Sequence, residues 1–245
     1  MPDKRKHRGP HPADAELFAP RHHAALREAV SDFSWLLTHR YSPRAALKLV
    51  GDRFQLTGRQ RLAVMRCGCS DPSRRRRREL QLTPDALPGR EIVIDGFNLL
   101  TTIEASLSGG AILIGRDGCF RDMAGMHGSY RKVEETRPAL KLIGEILNEL
   151  QTGPCVWLFD RPVSNSGRIG ALTDELAAQY AWNWRFELSN NPDRLLMETE
   201  HVIVTADSAV IDGCTRWFNL AEYTIRNAVP EAWIVDLREI EPGDD

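Results

Sequence analysis

EIVIDGFNLL, residues 91–100, decides the fold. Its first five residues are a short β-branched run that stops on Asp95, which reads as a strand. The same grammar returns downstream. CVWLFD (155–160) ends on Asp160, and HVIVTAD (201–207) ends on Asp207. WRFEL (184–188) is followed by NNPD (190–193), with Asp193 at a helix start, and AWIVDL (232–237) is the last such run. Helical spacing fills the gaps: Leu140, Ile143, Ile146, Leu147 and Leu150 over 136–151, then stretches near 168–181 and 217–227. Strand–helix units of this length build a parallel sheet with helices on both faces, so an α/β domain is expected. Neither GxGxxG nor GxxxxGK[ST] occurs, and no dinucleotide or P-loop site is signalled.

In such sheets ligands bind beyond the carboxyl ends of the strands. One strand-end aspartate is ordinary turn or cap chemistry. Several on one edge are costly, since two carboxylates ~4 Å apart repel by about 4 kcal/mol at an effective dielectric near 20. Protons or divalent cations relieve that cost. Oxygen donors without His or Cys favour Mg²⁺ or Mn²⁺ over zinc. The competing reading, separate caps and surface turns, stays open.

Ahead of this region the chain reads as helix. Leu26, Val30, Phe33 and Leu37 mark one apolar face over about 22–39. Ser42-Pro43 opens a second helix that stops near Gly51, and Thr57-Gly-Arg-Gln60 has capping-box spacing for a third. Arg59, Arg61 and Arg66 on the third give the pair a helix-turn-helix outline, with a packing bundle as the alternative. Cys67 and Cys69 are poorly spaced to bind zinc with His22, His23 or His39. DPSRRRRRELQLTPDALPGRE (71–91) reads as an exposed Arg-rich linker, either a solvated tether or a phosphate-gripping stripe. The expected organisation is a flexible 1–20, a helical domain over 21–70, a linker over 71–90 and an α/β domain over 91–245.

The charge divides along the same seam. Residues 1–80 hold 18 Lys and Arg against 8 Asp and Glu, a balance of +10, and the remainder carries −12. A basic front suits polyanions, and an acidic back needs cations to meet them. No apolar run approaches the ~20 residues of a membrane helix. The opening residues lack the apolar core of a secretory signal. Five cysteines, an odd number, fit a reduced, cytoplasmic protein.

IVIDGFNLL (92–100) resembles the first strand of PIN and NYN domains, where an aspartate opens a metal site and an asparagine follows. HVIVTADSAVID (201–212) resembles their later strand, NNPD the acidic head of a short helix, and VWLFD a strand shared with NYN and flap-endonuclease relatives. RDGCFRDMAGMHGSYR (116–131), RPVSNSGR (161–168), NNPD and YSPRAALKLVGDRFQLTGRQRLAV (41–64) together resemble domain of unknown function (DUF) family 434. That resemblance implies a small helical domain followed by a PIN-like domain. The PIN superfamily pattern implies Asp95, Asp193 and Asp207 as catalytic metal ligands for Mg²⁺ or Mn²⁺, with Asp212 and Asp160 as further ligands and Asn98 and Ser208 as substrate-binding residues beside them. Most PIN domains place a glutamate on the helix after the first strand. Here a Gly-rich segment (105–130) intervenes, leaving Glu134 or Glu135.

Two polar segments stand beside these. The inserted one is either a loop tied by Arg–Asp pairs or a lid presenting Arg121, His127 and Arg131 to a phosphate. SNSGR (164–168) is a helix N-terminus at which Asn165, Ser166 and Arg168 can hold an anion, or a cap alone. The leading expectation is a metal-dependent nuclease acting on RNA or other single-stranded nucleic acid, RNA before DNA, with no membrane partner and a homodimer left open. The alternatives are a non-catalytic nucleic-acid-binding protein and an enzyme acting on a small phosphorylated substrate.

Overall fold

In the computed structural model, which describes residues 6–124 and 130–239, the front of the chain is helical. Helices α1 (Asp14–Leu17), α2 (His23–Thr38), α3 (Pro43–Arg53) and α4 (Gly58–Cys67) follow one another through short turns. Local chemistry sets their starts. Ser42 Oγ accepts from the Ala45 N–H ahead of α3, and Thr57 and Gln60 close a reciprocal capping box on α4. α2 turns Leu26, Val30 and Phe33 inward as one face.

The expected linker is different. Residues 71–80 form helix α5 (Asp71–Leu80), capped by Ser70 with Pro72 in its first turn. Its arginines do not hold the chain extended because acids of the same molecule meet them: Arg77 pairs with Asp117 and Asp212, and Arg74 lies 3.7 Å from Glu239. Nor are residues 6–20 a loose arm. Phe18 and Asp14 are buried, Asp14 pairs with Arg59, and Arg8 Nε donates to Glu104 at 2.5 Å.

The rest alternates strand and helix: β1 (Ile92–Asp95), α6 (Gly96–Leu107), β2 (Ile112–Ile114), β3 (Phe120–Asp122), α7 (Thr136–Glu149), β4 (Cys155–Asp160), α8 (Ser166–Tyr180), β5 (Trp184–Ser189), α9 (Pro192–Glu198), β6 (Val202–Val204), α10 (Ser208–Gly213), α11 (Leu220–Ala228) and β7 (Ile234–Asp236). The main sheet is parallel in the order β5-β4-β1-β6. Strand alternation sorts its side chains into two layers. Ile92, Ile94, Trp157, Phe159, Val202 and Val204 face α6, α7, α8 and α11. Val93, Val156, Leu158 and Ile203 face α9 and α10. The chain is thus α/β with a helical N-terminal region.

The region expected to be a Gly-rich insertion (105–130) contains the end of α6 and the antiparallel pair β2–β3. β7 does not extend the main sheet. It pairs in parallel with β2, giving a second sheet in the order β3-β2-β7. One face of β2, Ile112 and Ile114, joins the main core, whereas Leu113 packs with Val235 against Phe33, Val50 and Val64 of the front helices. The small sheet therefore joins the two regions through apolar contact. Among the described residues no helix is long and apolar enough to cross a membrane.

An acidic cleft as the candidate functional site

β1 lies between β4 and β6, and the chain leaves it for β4 and β5 on one side before returning to β6 on the other. Such a divergence opens a crevice beyond the carboxyl ends of the strands. Asp95 closes β1 at that point, and Gly96 starts α6 directly behind it. A Cβ at Gly96 would meet the Phe159 ring at 2.4 Å and the Leu158 carbonyl oxygen at 2.8 Å, so only glycine lets α6 begin this close to β4.

Two hydrogen bonds fasten the turn after β6 to this corner and a third closes the turn on itself. Thr205 Oγ1 donates to Asp95 Oδ2 at 2.7 Å and accepts from the Asp207 N–H at 3.0 Å. Asn98 Oδ1 accepts from the Ala206 N–H at 2.9 Å. Asp207 caps α10, its Oδ1 accepting from the Ala209 and Val210 N–H groups. Asp160 ends β4, and Asp193 lies in the first turn of α9 behind the Asn191 cap.

Asp95, Asp160, Asp193 and Asp207 line one cleft of about 470 Å³. Burial pushes the Asp95 carboxyl up to about 7; the Thr205 hydrogen bond opposes this, and the charges of Asp207 and Asp193 add to it. Burial and then Asp193 raise Asp160; burial and then Asp207 raise Asp193. Among the described residues none of these four has a basic partner within ion-pair distance. An uncompensated, oxygen-only edge fits a hard divalent cation in chemistry. In geometry the carboxylates ring the cleft, and among the described residues no three His, Cys, Asp or Glu side chains draw together into a metal cluster. Mg²⁺ does not require such a cluster, since it commonly takes one or two carboxylates and keeps several waters.

The opposite wall was not expected from the sequence. Asp122, the last residue of β3, reaches the same cleft. It accepts from Thr101 Oγ1 (3.2 Å) and Thr102 Oγ1 (3.0 Å) of α6, and Arg66 Nη1 lies 3.5 Å from its Oδ1. Arg66 and Met65 come from α4, so the helical region supplies part of the wall. FRD (120–122) carries the same strand-to-aspartate signal as the other strands, shortened to three residues among glycines.

The remaining predicted residues scatter. Asn98 and Ser208 line the cleft. So does Arg121, but as a buried brace rather than a lid: it holds Asp117 through Nη1 and Nη2 (2.8 and 2.7 Å) and donates from Nε to the Ala206 carbonyl at 2.9 Å. Asp212 stands apart from the cleft lining, paired with Arg77 at 2.7 and 2.8 Å, because α10 turns it toward α5. Asn165 donates to the Tyr130 carbonyl and Ser166 to that of Val163, while Arg168 and Arg131 are exposed outside the cleft lining. His127 lies outside the described residues.

A helix does follow β1 directly, and its glutamate, Glu104, is buried against Arg8, Tyr130 and Thr136 instead of facing the cleft. Glu135 contacts His7. The zinc grouping does not form: His23 meets the Phe18 carbonyl, His39 stacks on Trp35, and all five cysteines are free and buried. The α4 arginines are likewise held within the chain. Arg59 pairs with Asp14, Arg61 with Asp52, and Arg66 donates to the Asp122 and Ala124 carbonyls, so all three make contacts within the chain.

Comparison with known families divides the chain at the seam. Protein of unknown function family DUF434 matches residues 25–79, and domain of unknown function family DUF5616 matches residues 84–223. The single-family resemblance is thereby corrected: DUF434 covers the helical region, and the α/β region answers to DUF5616. An uncharacterized protein of Methanocaldococcus jannaschii is 30% identical over 193 residues, covering 76% of this chain and 89% of the relative. No solved structure matches the chain.

Proposed function

Because the chain belongs to the DUF5616 family, whose matched region holds all four strand-edge aspartates, we propose a metal-dependent phosphodiesterase acting on single-stranded nucleic acid, RNA foremost. The observation that carries this reading is the uncompensated carboxylate edge of the cleft. Of Asp95, Asp193 and Asp207, one or two would hold Mg²⁺ or Mn²⁺ together with waters and the substrate's phosphate, the rest of the edge, with Asp160 at its margin, adding negative charge. The PIN/NYN resemblance supports the same assignment, since its motifs fall on these aspartates in the same chain order. Bound there, such an ion supplies charge neutralisation and activates water for displacement at phosphorus.

The chain's own residues set the conditions. Thr205 ties the Asp95 carboxylate to the Asp207 backbone N–H, and Asn98 holds the Ala206 N–H between them, keeping the two aspartates on one edge. Thr101, Thr102 and Arg66 satisfy Asp122, so that it adds less repulsion than the unpaired four. Met65 offers an apolar surface at the rim for a sugar or base. The basic front region supplies the phosphate attraction that an acidic edge lacks. A second reading, hydrolysis of a smaller phosphorylated compound, draws on the cleft volume, which falls in the range of small-ligand sites.

Labelled RNA, DNA and a panel of nucleotides and sugar phosphates, each with Mn²⁺, test both. The nuclease reading expects RNA cleavage that disappears in chelator and in Asp95→Asn. Equal background for wild type and Asp95→Asn on every polymer rejects it, and turnover confined to small phosphates favours the second reading.

A further inference from the structure

The turn between α2 and α3 carries an exposed feature that the cleft does not use. Trp35 is 57% exposed and Tyr41 49%, the most exposed aromatic side chains among the described residues. His39 stacks on Trp35 with centroids 3.9 Å apart and an interplanar angle of 28°. Arg40 and Arg44 are exposed at the same corner and have no acidic partner among the described residues. The acids nearby in sequence are taken: Asp32 and Glu28 by Arg53, Asp52 by Lys48 and Arg61. Thr38 Oγ1 accepts from the Asp71 N–H at 2.9 Å, which brings the start of α5 to the corner. One helical turn on, Arg75 is also exposed and also without an acidic partner, while Arg77 faces the opposite way into the protein.

We propose that this corner is a landing platform for single-stranded RNA: bases stack on Trp35 and Tyr41, and Arg40, Arg44 and Arg75 meet phosphates. Aromatic faces interleaved with unpaired cations are the pairing that single strands use, because every base has a π-face and every linkage a charge. A second copy of the chain is a poorer occupant, since a twofold contact buries the same patch on both subunits, and this patch brings three arginines whose neighbouring acids are already paired. In its choice of polymer the proposal rests on the nucleic-acid reading of the cleft. Its geometry is independent of that reading.

The test uses the full chain, a fluorescein-labelled 15-nucleotide oligouridine and anisotropy in chelator, so hydrolysis plays no part. Wild type should bind, with affinity falling as salt rises. Trp35→Ala with Tyr41→Ala should weaken binding about tenfold or more with an unchanged melting temperature, and Trp35→Phe should retain most of it. Replacing Arg40, Arg44 and Arg75 with alanine should flatten the salt slope by about two, at roughly 0.7 per phosphate contact. No RNA binding by wild type, unchanged binding by the aromatic double variant, or a wild-type dimer that this variant dissolves would each overturn the platform. A nuclease assay that fails while this pattern holds rejects only the cleft reading.

Discussion

Burial at the end of β1, with Asp207 and Asp193 adding negative charge, makes ionised Asp95 a liability to the metal-free fold. Its carboxyl titrates near 7 when folded and near 3.9 when unfolded. The folded state therefore keeps its proton longer. The associated stability is complete below about pH 4 and is lost as pH rises toward 7, in total on the order of 4 kcal/mol. Asp160 and Asp193, also raised, act in the same direction. Asp95→Asn, which keeps an acceptor for Thr205, should melt above wild type at pH 8, and the gap should close toward pH 4. Adding Mn²⁺ at pH 8 should stabilise wild type and do much less for the variant, as calorimetry with and without chelator will read. A wild-type melting temperature that rises steadily from pH 4 to 8 in chelator would contradict this account of Asp95. The residue-level signal was in the sequence, because an aspartate closing a β-branched run is a local pattern. The carboxyl's environment was not, because it depends on β6 lying alongside β1.

At the scale of elements, α5 shows how composition misleads. Five consecutive arginines look self-repelling, yet the helix separates them by face. Ser73, Arg77 and Leu80 turn toward Asp212 and Trp217, and Arg75 and Arg78 turn to solvent. Burial alone would lower the Arg77 guanidinium; Asp212 and Asp117 outweigh it and hold the group above its usual value. Arg77→Ala leaves Asp117 and Asp212 short of a partner in or near the interior and should cost about 3–5 kcal/mol in denaturant unfolding. Arg75→Ala on the outer face should stay within about 0.5 kcal/mol. Ser70→Ala, which removes the cap, should fall between them at roughly 1 kcal/mol. Equal effects at Arg75 and Arg77 would mean that the buried pairings contribute nothing. Arg77 also donates to the Ser208 hydroxyl and carbonyl, and Arg121 to the Ala206 carbonyl, so these two cations brace the turn that carries Asp207.

At the scale of the molecule, the two family regions share a core. Leu113, Met123, Val235 and Leu237 of the α/β region are buried against the front helices. A fragment spanning residues 84–245 would uncover them and leave Asp122 without Arg66. It should bind a hydrophobic dye and self-associate, whereas the full chain should unfold in one calorimetric transition. Two separated transitions for the full chain would count against a shared core. Read from the sequence alone, the chain already shows β1, β4, β5, β6 and β7 with most of the helices between them, the Ser42 and Thr57 caps, the charge division and the aspartates at the strand ends, whereas α6, β2, β3 and α10 go unread. The legible features follow from periods of two and 3.6 residues and from caps that act within one turn. Tertiary structure alone decided that β7 leaves the main sheet for β2, that the β3 hairpin brings Asp122 to the cleft, and which acids the α5 arginines meet. It also decided that Asp212 belongs to Arg77, a partner 135 residues away. Each of these depends on which distant groups meet once the core closes, and no pattern within a few residues of chain encodes that meeting.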